Sequence, residues 1–321
     1  VRFEDRTRVE AHDGAVLCAC VHPSGDGIVT GGDDGKVVWT RRDEDVVVLA
    51  TAKNQWIDAI DASPASGLIA FSFGRTLSVI DPKEVGFRRD FQHERTVSGV
   101  AFEPKGRRIA TSTYGGAALW YARIEKQQPV KLAWAGSHTG VAFSPDGAFV
   151  VTTMQDNQLH GWRIKDAKNL RMGGYPAKVR SMAFLADGQL MATSGAQGAV
   201  LWPFVGANGP MGREATEIGY DDTTLVNLVS ARADQGLLAA GLTDGRVWVA
   251  HPAAQDRADD RRRADDDRVE QPRADHPPNR QHRRRRGKQH AYHCGTFQKG
   301  ERADQQAVLV VEIARAAGKG G

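Results

Sequence analysis

This chain is poor in cysteine, in helical periodicity and in long apolar runs, and each shortage removes a class of protein. Three cysteines (Cys18, Cys20 and Cys294) in 321 residues are too few for a disulfide scaffold and fit a reducing compartment. Cys18 and Cys20 are two apart in an alternating segment, so both fall on one face of a strand and read as small buried hydrophobes. No run approaches the length of about 18 apolar residues that a membrane span needs. The first ten residues, VRFEDRTRVE, are charged from the second position and have no apolar core, so no signal peptide is expected and the cytosol is the expected address. No segment repeats its apolar residues at helical spacing, so helices should be scarce.

Net charge is also small where it matters. The chain carries 43 Lys and Arg against 39 Asp and Glu. Residues 1–250 hold 27 basic and 28 acidic side chains, and residues 251–321 hold 16 and 11. The positive excess therefore belongs to the C-terminal stretch and says nothing of a folded part.

Catalytic signatures are missing too. No Gly-x-Ser-x-Gly elbow, His-Glu-x-x-His helix or paired Cys-x-x-Cys occurs. The run TGGDDGKVVWT, Thr30 to Thr40, superficially suggests a phosphate-binding loop. Its glycines, Gly31 and Gly35, enclose three residues rather than four, and Lys36 is followed by valine instead of Ser or Thr. Asp33 and Asp34 would repel a phosphate, and an alternating strand follows where a helix N-terminus is needed. It reads as a hairpin. HAYHC, His290 to Cys294, lacks a second ligand pair for a metal. No cofactor is expected.

What the chain does have is a long repeat. The segments VHPSGDGIVTGGDDGKVVW, ASPASGLIAFSFGRTLSVI, FEPKGRRIATSTYGGAALW, FSPDGAFVVTTMQDNQLHGW, FLADGQLMATSGAQGAVLW and ARADQGLLAAGLTDGRVW superpose. Their turn residues Pro23, Pro64, Pro104, Pro145, Ala186 and Ala233 are spaced by 41, 40, 41, 41 and 47 residues. Trp39, Trp120, Trp162, Trp202 and Trp248 close five units, and Ile80 closes the second. Each unit alternates apolar residues over short stretches broken by Pro/Asp-Gly turns, the pattern of small antiparallel sheets. About four short strands every forty-odd residues make a β-propeller blade.

Here the sequence resembles the WD-repeat family over residues 10–250. The residues that carry the likeness are His12 and His93 ahead of a first strand, Ser144 to Gly147, the turn aspartates Asp34 and Asp244, and the five tryptophans. Only Asp81 stands where the name-giving Trp-Asp pair would put its aspartate, and the histidine position holds Lys53, Trp134, Tyr175 and Asp222 in the other units. The resemblance implies a hydrogen-bonded chain of His12, Thr30, Asp34 and Trp39 in unit one, and implies that most other units cannot make it. It implies an all-β propeller of four-stranded blades, usually seven, with residues 2–9 closing the last one. Six units are recognisable, so a seventh is missing or garbled.

After Ala250 the repeat stops. From His251 to Gln305 the strongly apolar residues are Val269, Tyr292 and Phe297, so the stretch 251–321 is expected to be disordered. Its Arg, Asp, Pro, His and Ala bias suggests a reading-frame change in place of a last blade. The alternative is an arginine-rich tail that binds nucleic acid or acidic partners.

For function, the resemblance implies a non-catalytic scaffold that binds other proteins or peptides and no membrane. Trp56, Trp134 and Tyr175 precede first strands, and Arg95, Tyr114, Lys178 and Arg180 fall in the same loop classes. These types dominate binding hot spots; the bland reading packs Trp134 and Tyr175 between blades. Asp221 and Asp222 would add an acidic patch. An enzyme would need ionisable residues at matching positions of several blades, where only scattered ones such as His138 and Asp156 occur.

Overall fold

The computed structural model describes residues 9–185 and 188–252. Ala186, the expected closing strand apart from Val9, and the expected disordered tail apart from His251 and Pro252 lie outside the described residues. The described chain is all-β apart from short turns, and forms two compact units, one ending at Lys131 and the other starting at Leu132.

In the first unit, β1 (Val16–Val21), β2 (Ile28–Gly32), β3 (Lys36–Thr40) and β4 (Val46–Thr51) make one antiparallel sheet. A second comprises β5 (Ala59–Ser63), β6 (Leu68–Phe73), β7 (Thr76–Ile80) and β8 (Arg88–Gln92). Repeat three follows with β9 (Gly99–Phe102) and β10 (Arg108–Tyr121). β10 is a hairpin in one assignment: the Thr111 hydroxyl lies 3.3 Å from Ala118 O, which an extended strand would hold about 23 Å away. Gly115 and Gly116, with φ of 98° and 137°, supply the bend that a side chain would oppose.

The second unit contains most of β11 (Val130–Phe143), then β12 (Phe149–Met154), β13 (Leu159–Arg163) and β14 (Lys168–Met172). It continues with the sheet β15 (Met182–Leu185), β16 (Leu190–Thr193), β17 (Ala199–Pro203) and β18 (Thr216–Ile218). The last sheet has three strands, β19 (Val226–Arg232), β20 (Leu237–Leu242) and β21 (Val247–Ala250). The blade count is thus corrected. Five sheets form where six or seven separate blades were expected, because β11 continues, bent at Gly136 with φ of 124°, through what the repeat makes two strands. No proline and no Asp-Gly turn interrupts VKLAWAGSHTGVAF.

Register gives each sheet two distinct faces. In the first sheet Cys20, Val29, Trp39 and Val47 lie opposite one another across the strands. This forward face packs on Ile57, Ile60, Ile69, Phe71 and Ile80 of repeat two. The neighbouring row, Val21, Ile28, Thr40 and Val46, points backwards. Repeat two in turn sets Leu68, Ala70, Leu77 and Val79 against Phe102, Ile109 and Trp120, the rear face of repeat three. The second unit repeats the rule. Phe149, Val151, Leu159 and Leu170 of repeat four meet Phe184, Met191 and Trp202 of repeat five. Leu185, Ala192, Ala199 and Leu201 of repeat five meet Val229, Leu238, Ala240 and Trp248 of repeat six. Each fully buried aliphatic or aromatic side chain in these seams contributes about 1.5–3 kcal/mol.

Candidate interaction surface

Behind the loops runs a set of buried polar chains. In repeat three the Trp120 indole N–H donates to His93 Nε2 at 2.9 Å, and the same nitrogen lies 3.0 Å from Thr111 Oγ1. Burial lowers the pKa of His93 and keeps the ring neutral. In repeat five Tyr175 does the histidine's work: Trp202 N–H donates to its hydroxyl at 2.5 Å, and that hydroxyl lies 2.6 Å from Thr193 Oγ1, which donates to Val200 O. In repeat four His138 Nδ1 lies 2.7 Å from Thr152 Oγ1, while Nε2–H donates to Trp134 O at 3.1 Å. Repeat three thus joins histidine, threonine and tryptophan without the turn aspartate, and repeats five and four depart further from the expected chain of four. A phenol substitutes for the imidazole in one, and in the other the histidine comes four residues later than the family position.

Repeat one departs from expectation in the opposite sense. His12 bridges Asp34 (3.0 Å) and Thr30 (2.8 Å), but Trp39 is not in that chain. Its N–H donates to Asp26 O at 2.6 Å, and its ring stacks on His22 at 3.9 Å. The cause is parity. Thr30 and its partner Val38 are eight residues apart, as are Thr152 and His160; Thr111 with Ala118 and Thr193 with Val200 are seven apart. Trp120, Trp162 and Trp202 each lie two residues past the partner and share its face. Trp39 lies one past it and points to the opposite face.

The glycine-rich run is a hairpin turn. Gly35 has φ of 77°, and a Cβ there would meet Ala52 O at 2.3 Å, so only glycine fits. Asp34 accepts the backbone N–H groups of Asp13 and Lys36; burial alone would raise its pKa, but His12 and those N–H groups hold it low. Lys36 Nζ is taken by Asp13 at 2.5 Å. Asp244 repeats the turn in repeat six, accepting Arg246 N at 3.0 Å. There Leu242, bonded to Arg246 two residues before Trp248, stands in the threonine's place, so no hydroxyl is present to continue a chain.

The candidate binding residues divide sharply. Tyr175 is buried and committed to Trp202, which removes it from any binding surface. Trp134 is half-buried between the His160 ring, stacked at 4.0 Å, and the Arg171 guanidinium at 4.2 Å, so it too is held in packing. Asp221 is closed by Arg246 at 2.6 Å and by Thr223, with only Asp222 left exposed beside it. Lys178 donates to Gln155 Oε1 at 2.6 Å, whereas Arg180 is exposed on a backbone anchored by Ser194 Oγ at 3.0 Å.

In the first unit, by contrast, Trp56 is 61% and Tyr114 62% exposed, and Arg95 is exposed. Trp56 stands over a shallow depression with Asn54, Gln55, Asp58 and Gly74. The loop beneath is stitched to its neighbours: Ile57 N donates to Gly32 O at 3.1 Å, Val97 N to Gly74 O at 2.9 Å, and Gly74 N to Asp58 Oδ2 at 3.3 Å. Burial raises the pKa of Asp58. Among the described residues no cluster of His, Cys, Asp and Glu could hold a metal, and no helix is long and apolar enough to cross a membrane.

Sheets of short antiparallel strands, packed face to face within each unit and tied by His or Tyr, Thr and Trp, make up a β-propeller fold. Comparison agrees. Residues 4–39 and 135–163 match the family described as "WD domain, G-beta repeat". Among solved structures the chain is similar to "Structure of U3-55K", with 15% identity, a TM-score of 0.58, and coverage of 75% of this chain and 78% of that one; that likeness shows the fold, a β-propeller. A search of the curated proteins gives no match.

Proposed function

We propose that this chain is a non-catalytic platform that binds another protein or a peptide through the loops of its first unit, around Trp56, Arg95 and Tyr114. Domains of this family generally serve as interaction scaffolds and typically do no chemistry. The observation that carries the reading is Trp56: a large ring left 61% exposed on a loop whose backbone is fixed on both sides. A rigid aromatic presented this way loses little side-chain freedom on binding and gains much buried area. The cytosol remains our proposed address. The few and free cysteines fit a reducing compartment; a fluorescent fusion would test it. To test the binding surface, the full chain would be used as bait and the recovered partner titrated against Trp56→Ala and Tyr114→Ala. Loss of about 2 kcal/mol or more of affinity for Trp56→Ala, with an unchanged circular dichroism spectrum, is the expected result. Unchanged affinity in both variants would reject the surface.

A further inference from the structure

The depression at Trp56 has a definite chemical character. Its other lining residues are Asn54, Gln55, Asp58 and Gly74, so one carboxylate and two side-chain amides stand beside the indole. Asp58 accepts the Gly74 N–H at 3.3 Å through Oδ2, a long bond that leaves most of the carboxylate free to accept. Neighbours cover that carboxyl enough to raise its pKa, and among the described residues no cation stands close enough to oppose the rise. Gly74 has φ of 52°, and a Cβ there would meet the Gln55 amide at 3.3 Å, so that amide lies close over the glycine. The result is an open aromatic face next to a negative charge that nothing neutralises.

We propose that this depression receives a single arginine side chain of the partner, carried on a segment whose other residues are neutral or acidic. The inference rests on the reading that the loops of the first unit bind a protein or peptide. A guanidinium meets both demands of the site at once. Its plane stacks on an indole, and its forked N–H groups match a carboxylate. An aliphatic side chain would leave the Asp58 charge covered and unpaired, and an acidic one would set like charge beside it. The flanks follow from three exposed cations outside the lining, Lys53, Arg75 and Arg95. Arg75 follows Gly74, and the bond from Val97 N to Gly74 O ties the loop of Arg95 to the same turn. A run of basic residues would meet them as like charge.

Fluorine NMR on the full chain labelled with 5-fluorotryptophan tests this at the residue itself, the Trp56 resonance being identified by its loss in Trp56→Phe. The peptide Gly-Ser-Ala-Arg-Ser-Gly, titrated to millimolar concentration, should move that resonance and leave the other tryptophans in place. The same peptide with citrulline, which keeps the shape and loses the charge, should not. Asp58→Asn should weaken the arginine peptide about threefold or more, the scale of an exposed charge pair, with the other tryptophan resonances unmoved as proof of an intact fold. An arginine peptide that leaves Trp56 unmoved overturns the proposal, as does a citrulline peptide that binds equally or an Asp58→Asn chain that binds unchanged. A glutamate peptide or an oligouridylate that moves the resonance in place of the arginine peptide overturns it too. If partner affinity still falls in Trp56→Ala after such a result, the binding surface stands and only the arginine is rejected; if it does not fall, the surface goes as well.

Discussion

Repeats one and three present the same structural row with opposite fates. In repeat three Phe102, Ile109 and Trp120 are buried against repeat two, and Trp120 completes a polar chain through His93. In repeat one the matching row is Val21, Ile28, Thr40 and Val46, with Val21 largely in solvent. The tryptophan has moved to the other face, where it meets His22 and the core with repeat two. The lesson is that a blade's bulk goes where there is a neighbour to receive it. Repeat three spends a tryptophan on its rear face, while repeat one keeps β-branched residues there and turns the large ring forward.

The strongest way to probe this contrast is a matched pair of truncations. Ile109→Ala, at 0% exposure, should cost about 2–5 kcal/mol in a denaturant titration. Ile28→Ala, in a half-exposed row, should cost less than half as much; equal losses would mean that the rear face of repeat one is covered. The second unit offers a pH test of the same buried polar layer. Burial depresses His160 to about 4, with Asn169 accepting its Nε2–H at 3.0 Å. Its folded value lies below the unfolded value of about 6.5, so the unfolded chain takes up the proton first. Stability attributable to it is complete above about pH 6.5 and falls by about 3 kcal/mol as pH drops towards 4. His160→Gln should flatten that stretch of the stability–pH curve.

Asp61 runs the other way. Burial raises it to about 6 despite its bond from Phe102 N at 2.6 Å, so stability present below about pH 4 is lost as pH rises towards 6. Asp61→Asn keeps an acceptor for that N–H and should gain about 2 kcal/mol at pH 8 while matching the parent at pH 4. Smaller still, Tyr175→Phe leaves the buried Trp202 N–H without its acceptor and should cost about 1–3 kcal/mol. The matching change Trp39→Phe frees only Asp26 O on a turn open to water and should cost less, measured by the same unfolding titration.

How much of this was legible beforehand depended on what each residue had to do. Trp120 and Trp202 and the forty-one-residue spacing mark seams because burial demands bulk at a fixed position in the unit. The His12–Asp34 contact was legible because the turn aspartate and the histidine sit at family positions. Tyr175 carries two readings in the sequence, a binding aromatic or packing between blades, because no residue-type pattern reveals that its hydroxyl can replace an imidazole nitrogen. His138 reads in the sequence only as a scattered ionisable residue, because it lies four residues past the histidine position, which Trp134 holds. Trp39 was misplaced because aligning the units on their tryptophans hid the extra residue in its hairpin. The length of β11 had one hint, a stretch without proline or an Asp-Gly turn. Trp56, Arg95 and Tyr114 were legible as loop residues, but their exposure depends on the seams below them.

The length of one hairpin turn therefore acts as a two-position selector for everything downstream in its strand. Adding or removing a single residue between Thr30 and Val38 would send Trp39 across the sheet without altering any side chain. A lineage built from such modules can exchange what neighbouring modules grip by editing loop lengths and leave the buried alphabet untouched.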